Sequence, residues 1–318
     1  MFTRSRSVTL LALLMCSVTT ACEGDEASPE VVDASIEEAD VADDATIEEV
    51  DVADAPGMSP TSGDLVVLTY NVAGLPEGLS SGTPEVHMPM ISPLLVTYEL
   101  ALVQEDFWYH DVLITAVDHP HQSIPWSDEP DYFDMGDGLN RFSRTPFQGH
   151  TRTPWPGCSG HLDCSSDCLA TKGSSVARHT LAEGVEVDIY NVHMEAGGCP
   201  EDYTIREASI QQLLDQMANV SEGVAVVMAG DWNLHPDDPQ ELPQLNRLIE
   251  EGGLTDACWF LDCGDERIDR LFSRSGPGVT LEATQWKIPE EFIDPVGHPM
   301  SDHAPVAVTL RWSLTEGE

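Results

Sequence analysis

Four strongly apolar runs in this chain each end on a residue that chemistry can use, and no other feature constrains the fold as tightly. Residues 65–70 read Leu-Val-Val-Leu-Thr-Tyr and end at Asn71; residues 100–103 read Leu-Ala-Leu-Val and end at Gln104-Glu105. Residues 224–228 are apolar and lead into Gly230-Asp231-Trp232-Asn233. From Gly184 the pattern alternates, placing Val185, Val187 and Ile189 on one face, with Asn191 and His193 on the same face at the end. Two later segments run in the reverse sense. Asp269 opens the short strand Arg270-Leu-Phe272, and Asp302-His303 stand just before the apolar run 304–310. In an antiparallel or mixed sheet, the starts of some strands lie at the same edge as the ends of others. One edge is therefore expected to collect Asn71, Glu105, His193, Asp231, Asn233, Asp269, Asp302 and His303. Any one polar residue at a strand boundary is ordinary. Two histidines, a glutamate and paired Asp/Asn residues, each against an apolar strand, are not explained that way.

Helical periods fall between the strands. Ile210, Leu213, Leu214 and Met217 follow i, i+3, i+4, i+7, with Glu201 and Asp202 at the start and Gly223 just beyond. Leu245, Leu248 and Ile249 predict a second helix ended by Gly252-Gly253. Strands alternating with covering helices predict an α/β sandwich.

The N-terminus is set apart from this pattern. Arg4 and Arg6 precede an apolar run over 8–15 and small residues over 17–21, which reads as a secretory signal peptide, residues 1–21. Thr20-Ala21-Cys22 resembles the end of a bacterial lipoprotein signal, which makes Cys22 a candidate lipid anchor at the membrane surface; Thr19 departs from that pattern, and plain cleavage after Ala21 is the alternative. Residues 22–62 read as an acidic tether. The stretch 33–43 recurs as 44–54, without an aromatic residue, and its like charges and low hydrophobicity oppose ordering. The repeat 33–54 lacks the glycines of tight Ca²⁺ loops. Residues 63–313 are then expected to form one domain with a sizeable core, monomeric.

The whole chain carries 56 acidic against 14 basic residues, a formal net charge of −42, with Lys172 and Lys287 its lysines. Such a surface repels phosphate backbones and speaks against long nucleic acids as substrate. Cys158, Cys164, Cys168, Cys199, Cys258 and Cys263 are an even set in an exported chain and read as disulfides. Cys258 and Cys263 are expected to pair; the other four leave three pairings open. A zinc site from Cys158, Cys164, Cys168 and His161 is the sharper alternative, although its spacing contains no CxxC pair.

The segments Thr69-Tyr-Asn71, Gln104-Glu105, Asn191-Val-His193, Gly230-Asp-Trp-Asn233, Arg267-Ile-Asp269 and Ser301-Asp-His303, in this order, resemble the endonuclease/exonuclease/phosphatase superfamily. Its members include DNase I and neutral sphingomyelinases. The resemblance implies a four-layer sandwich: two packed mixed or antiparallel sheets with helices outside. Within the superfamily, the run from Gly138 to Pro146, Lys172-Gly173 with Arg178, His193-Met-Glu-Ala196, and Arg206 with Gln211 are similar to the neutral sphingomyelinase branch. Glu195 stands where that branch has Gln, Trp232 where Phe is common, and Arg270 where Tyr is common.

A phosphodiester is anionic and resists water, so an enzyme must neutralise its oxygens, make a nucleophile and stabilise the leaving alkoxide. Hard oxygen ligands suit Mg²⁺, or another divalent ion such as Mn²⁺. The resemblance implies Glu105 as the main ligand with Asn71 beside it, and Asp302 joining through water. His303 oriented by Asp269 is the expected base, Asp231 and Asn233 position water, and His193 bonds the phosphate. A lipid or small phosphodiester is the expected substrate, and an extracellular or cell-surface location follows from the signal. An extracellular nuclease, or a surface binding module on the same scaffold, is the alternative. There is no Gly-x-Ser-x-Gly elbow, His-Glu-x-x-His motif or Gly-Lys-Ser/Thr phosphate loop.

Overall fold

A computed structural model describes residues 59–80, 82–126, 135–161, 167–264 and 267–315, all within one unit, Pro56–Glu318. The expected signal peptide, Cys22, the tether up to residue 58 and Cys164 lie outside the described residues. In chain order the elements are β1 (Ser62–Asn71), α1 (Pro84–Leu95), β2 (Leu100–Gln104), α2 (His110–Leu113), β3 (His121–Gln122), β4 (Asn140–Ser143), β5 (Phe147–Pro154), β6 (Gly173–Ala182), β7 (Val185–His193), α3 (Pro200–Val220), β8 (Ala225–Asp231), α4 (Leu242–Gly252), β9 (Thr255–Asp256), α5 (Ala257–Phe260), β10 (Asp269–Arg274), β11 (Val279–Lys287) and β12 (Val306–Leu314).

The strands form two six-stranded sheets, ordered β11-β12-β1-β2-β4-β3 and β5-β6-β7-β8-β10-β9. Each has one central parallel pair, β1–β2 or β7–β8, among antiparallel neighbours. The sheets are therefore mixed, as the sequence predicts, and the fold is DNase I-like.

The period-2 alternation of the central strands explains the layering. On β1, Leu65 and Val67 join Leu102, Ile189, Val227 and Val308 in the core shared by the two sheets. The alternate residues Leu68 and Tyr70 meet Met88 and Ile91 of α1 on the outer face. On the second sheet, Tyr190, Val192 and Met228 meet Ile210 and Leu213 of α3 and Leu245 and Leu248 of α4. Burying each such side chain contributes about 1.5–3 kcal/mol. Strands apolar on both faces belong at the centre of a four-layer stack, so β1, β2, β7 and β8 sit there.

Polar ties fix the two sheets at one end. Gln104 donates to Asn191 Oδ1 at 2.7 Å, and Asn191 donates to the carbonyls of Val103 and Asn140 at 2.9 and 3.0 Å. Arg141, fully buried, donates to the Ile189 and Ser175 carbonyls at 3.0 Å. Buried polar groups must be satisfied, so these bonds set one relative placement of the strand ends.

The disulfides resolve part of the cysteine reading. Cys258 pairs with Cys263 as expected, and Cys158 pairs with Cys168. The zinc alternative is thereby overturned: two of its four ligands are bonded to each other, and a disulfide sulfur is not a thiolate ligand. Among the described residues, no helix is long and apolar enough to cross a membrane.

Candidate active site

Register brings the site together before any side chain is considered. His193 at the end of β7 lies opposite Asp231 at the end of β8, and Asp269 at the start of β10 lies opposite the same Asp231. In the other sheet, Asn71 and Gln104 are opposite each other at the ends of β1 and β2. β12 runs antiparallel to β1, which delivers the segment 301–303 to the same edge. Ser301 locks it there by donating to the Asn71 carbonyl at 2.7 Å.

Asp231, almost wholly buried, is the hub. Its Oδ2 accepts from Asn71 Nδ2 at 3.1 Å and lies 3.5 Å from His193 Nε2 and 3.6 Å from His303 Nε2. Its Oδ1 accepts from the Asn233 backbone N–H at 3.1 Å. Asp269 receives His303 Nδ1 at 2.9 Å, which leaves Nε2 facing Asp231. Glu105 accepts from Asn71 Nδ2 at 3.0 Å and stands 3.8 Å from His193 Nε2. Asn71, Glu105, His193, Asp231, Asp269 and His303 thus form one connected cluster spanning both sheets.

The remaining two predicted residues lie at its margin. Asp302 is exposed and accepts from Ser301 Oγ at 3.3 Å, and its charge is felt by Glu105. Asn233 turns its carboxamide to the Met194 carbonyl at 3.0 Å, so its side chain braces β7. Asn71 stands beside Glu105 as its NH₂ donor, while its Oδ1 accepts from the Ala73 N–H at 3.0 Å. Glu105 and Asn233 both have positive φ, 55° and 47°. Such positions cost on the order of 1–3 kcal/mol and concentrate at functional sites.

The electrostatics follow from burial. Burial raises Glu105 and Asp231 above the usual carboxylate range, and His303 offsets only part of the rise at Asp231. Burial pulls His303 down, but Asp231 and Asp269 together outweigh it and push it up to about 10. His193 is held well below its ordinary value by burial, then by Lys172 and His303, so it is neutral. Its Nδ1 has no hydrogen-bond partner among the described residues.

The donor set fits a divalent ion. Asp231, Asp269 and His303 each offer a ligand atom, all within 4.8 Å of one another, and Glu105 adds a partly buried carboxylate beside them. The nearby cation, Lys172, is already paired to Asp167 at 2.5 Å. Desolvated carboxylates without a full complement of positive charge, supplied mostly by hard oxygen, suit Mg²⁺-type ions.

Sequence reasoning missed part of the surroundings. Lys172, which the sequence marks only through the Lys-Gly segment, has its charge within reach of Glu105, Asp231 and His193. Arg206, fully buried, ties the Glu195 and Gly197 carbonyls to Glu241, so it is a brace for the turn after β7. Trp232 and Trp155 are buried, whereas Trp108, three residues past Glu105, is 61% exposed.

No family model matches the chain. It is 34% identical over 284 residues to a sphingomyelinase of Mycobacterium bovis, and equally to that of Mycobacterium tuberculosis, an alignment covering 80% of this chain. The chain spans about half, 55%, of the length of these curated relatives. Among solved structures, a beta toxin mutant from Staphylococcus aureus with bound magnesium ions superposes with a TM-score of 0.57 at 15% identity, covering 77% of this chain and 99% of that one. An endonuclease/exonuclease/phosphatase family protein from Bacteroides thetaiotaomicron gives a TM-score of 0.58 at 18% identity, covering 79% and 95%. The long alignment shows that most of this chain is similar to a part of the mycobacterial sphingomyelinases, and the superpositions show that it has the DNase I-like fold.

Proposed function

We propose that the chain is an exported, divalent-metal-dependent phosphodiesterase acting on a sphingomyelin-like lipid by in-line attack of water. The observation that carries this is the convergence on Asp231: two histidines and Asn71 lie within 3.6 Å of one carboxylate oxygen, with Asp269 behind His303. The likeness to sphingomyelinases supports the substrate class, and the magnesium ions in the beta toxin relative support the choice of metal. The paired cysteines fit an oxidising compartment and support export, with residues 1–21 removed and Cys22 as the candidate anchor.

In this reading Glu105, with Asn71 beside it and Asp302 through water, would hold Mg²⁺. The ion, when bound, neutralises the phosphate oxygens and stabilises the leaving alkoxide. The carboxylates that push His303 up to about 10 would be offset by a bound ion, and His303 would then take the proton of the attacking water at Nε2, because Asp269 occupies Nδ1 and fixes the tautomer. Asp231 and the Asn233 turn position that water. Neutral His193, whose Nε2 faces Glu105 and Asp231, donates from that nitrogen to a non-bridging oxygen.

A panel assay tests the proposal: sphingomyelin, a lysophospholipid, DNA and a bis-aryl phosphate, each with Mg²⁺ or EDTA. Sphingomyelin is expected to turn over fastest, and EDTA to abolish it. Equal, trivial rates on all four would remove the catalytic reading, and a preference for DNA lost with rising salt would make the chain a nuclease.

A further inference from the structure

The connection between β11 and β12 folds into a hairpin whose tip the phosphodiesterase reading does not use. In its stem the Met300 N–H donates to the Phe292 carbonyl at 3.2 Å, and Ile293 pairs with Pro299. The tip is the turn Asp294-Pro-Val-Gly-His298. Asp294 N–H donates to the His298 carbonyl at 2.8 Å and Gly297 N–H to the Asp294 carbonyl at 3.0 Å, with Gly297 at φ 94°. The stem is anchored on the outer face of the first sheet. Phe292 packs edge-on against Tyr70, ring centres 5.0 Å apart, and Glu291 accepts from the Tyr98 hydroxyl at 3.0 Å.

At the tip two imidazoles face one carboxylate oxygen. Asp294 Oδ1 is occupied, because it accepts the His298 and Val296 N–H groups at 2.7 and 3.0 Å. Those bonds, the His298 one foremost, hold its carboxyl below the usual carboxylate range, so it is ionised at neutral pH. Oδ2 faces His87 Nε2 of α1 at 3.6 Å and His298 Nδ1 at 3.5 Å. Both separations are too long for a hydrogen bond. Both lie close to the roughly 3.3–3.4 Å between ligand atoms that each stand about 2.0–2.1 Å from one tetrahedral ion. His87 is buried, and Thr83 Oγ1 stands 3.5 Å from its Nδ1, which leaves Nε2 for the tip.

We propose that His87, Asp294 and His298 form a metal site, distinct from the catalytic cluster, for a borderline divalent ion of the Zn²⁺ type that pins the hairpin tip to α1. Two imidazoles and one carboxylate oxygen suit such an ion and leave a fourth position for water; Mg²⁺ prefers hard oxygen donors. Asp231, Asp269 and His303 are the group of described residues whose ligand atoms already lie within 4.8 Å of one another. At the hairpin tip one edge, between the two imidazoles, is longer. His298, its side chain 74% exposed, closes that edge by turning its ring, while His87 and Asp294, 10% and 11% exposed, stay in place. The site reaches the catalytic cluster through the chain. Met300 ends the stem, Ser301 beside it donates to the Asn71 carbonyl at 2.7 Å, and His303 follows. An ion at the tip therefore steadies the segment that delivers His303.

Equilibrium dialysis of the intact chain against Zn²⁺, with excess Mg²⁺ present throughout, tests this. Wild type is expected to retain one Zn²⁺ more than His298→Ala, and Co²⁺ in its place to show the intense visible bands of a tetrahedral site. Loss of a ligand in His298→Ala or His87→Gln is expected to weaken binding roughly tenfold or more, while Glu105→Gln keeps the ion. His298→Ala alters an exposed side chain, so its melting profile without Zn²⁺ is expected to match wild type. Zn²⁺ is then expected to raise the melting temperature of wild type and not of the variant. Equal Zn²⁺ retention by wild type and folded His298→Ala overturns the proposal, and so does loss of the extra ion in Glu105→Gln, which would assign it to the catalytic cluster. Because binding is read without turnover, failure of the phosphodiesterase reading leaves the result interpretable.

Discussion

At the scale of single residues, Asp269 and Glu195 show two opposite uses of a buried carboxylate. Asp269 meets His303 and its charge is put to work; Glu195 meets one N–H and is left half satisfied. Replacing His303 with Asn is expected to cost on the order of 10²–10⁴ in turnover, the range for a positioned general base, while the fold persists. Circular dichroism and a melting curve alongside the rate measurement separate the two effects; full activity in the variant would remove His303 from the chemistry. For Glu195 the prediction concerns stability. Burial, then Asp167, pushes it up to about 8 from an ordinary 4.5. A carboxyl raised in the folded state favours folding when protonated, so its contribution is complete below 4.5 and is lost as pH rises through about 8. Glu195→Gln is neutral throughout. The variant is therefore expected to gain on wild type between pH 5 and pH 9, with a slope of up to about 1.4 kcal/mol per pH unit. Urea titrations at both ends of that range check it, and parallel stability curves would show that Glu195 is charged in neither state or both.

At the scale of elements, legibility tracked how much apolar surface a strand buries. β1, β2, β7 and β8 are central, read as unbroken or alternating apolar runs, and end on the site residues. The reverse-running strands β10 and β12 were legible for the same reason. β11 and β5 were not, because each is an edge strand facing solvent on one side. β11 reads Val-Thr-Leu-Glu-Ala-Thr-Gln-Trp-Lys with a register shift between Ala283 and Gln285, and β5 contains Gly149 and has no buried residue. α1 was hidden by Pro89 and Pro93, which argue against a helix interior although α1 continues through both. The surroundings of Glu195 were illegible because Trp155, Cys158 and Lys172 come from one long connection between β5 and β6 and Glu195 from the turn after β7, with no period. Two glycines test the element-level account by contrast. A Cβ on Gly230 in β8 would lie 1.9 Å from the Val192 carbonyl of the paired strand β7. Gly230→Ala must therefore push apart the two strands that carry His193 and Asp231, and is expected to cost about 3 kcal/mol or more. Gly253 ends α4 at φ 61° with its nearest neighbour at 3.7 Å, so Gly253→Ala meets only backbone strain, about 1 kcal/mol. Equal losses in the two variants by chemical denaturation would contradict the placement of β7 against β8.

At the scale of the whole molecule, the charge imbalance complicates any claim about a metal. A chain with 56 acidic and 14 basic residues collects divalent ions diffusely, and such screening stabilises it without any site. The specific part has a different signature, because an ion that binds only the folded state stabilises by mass action. That contribution is about 2.7 kcal/mol at one hundred times its dissociation constant, which for a domain of this size corresponds to a rise on the order of 5–10 °C in melting temperature. Glu105→Gln removes one carboxylate of the cluster and leaves the rest of the surface as it was. Wild type is expected to show the full rise with Mg²⁺, the variant only the diffuse part, and monovalent salt at matched ionic strength to reproduce that diffuse part in both. If the variant rises as far as wild type, the ions are held by the surface and the buried cluster is not a metal site. If both rise little, the site binds too weakly for the proposed chemistry. Only a difference that depends on Glu105 connects the strand-end cluster to a bound ion, and it does so without reference to any substrate.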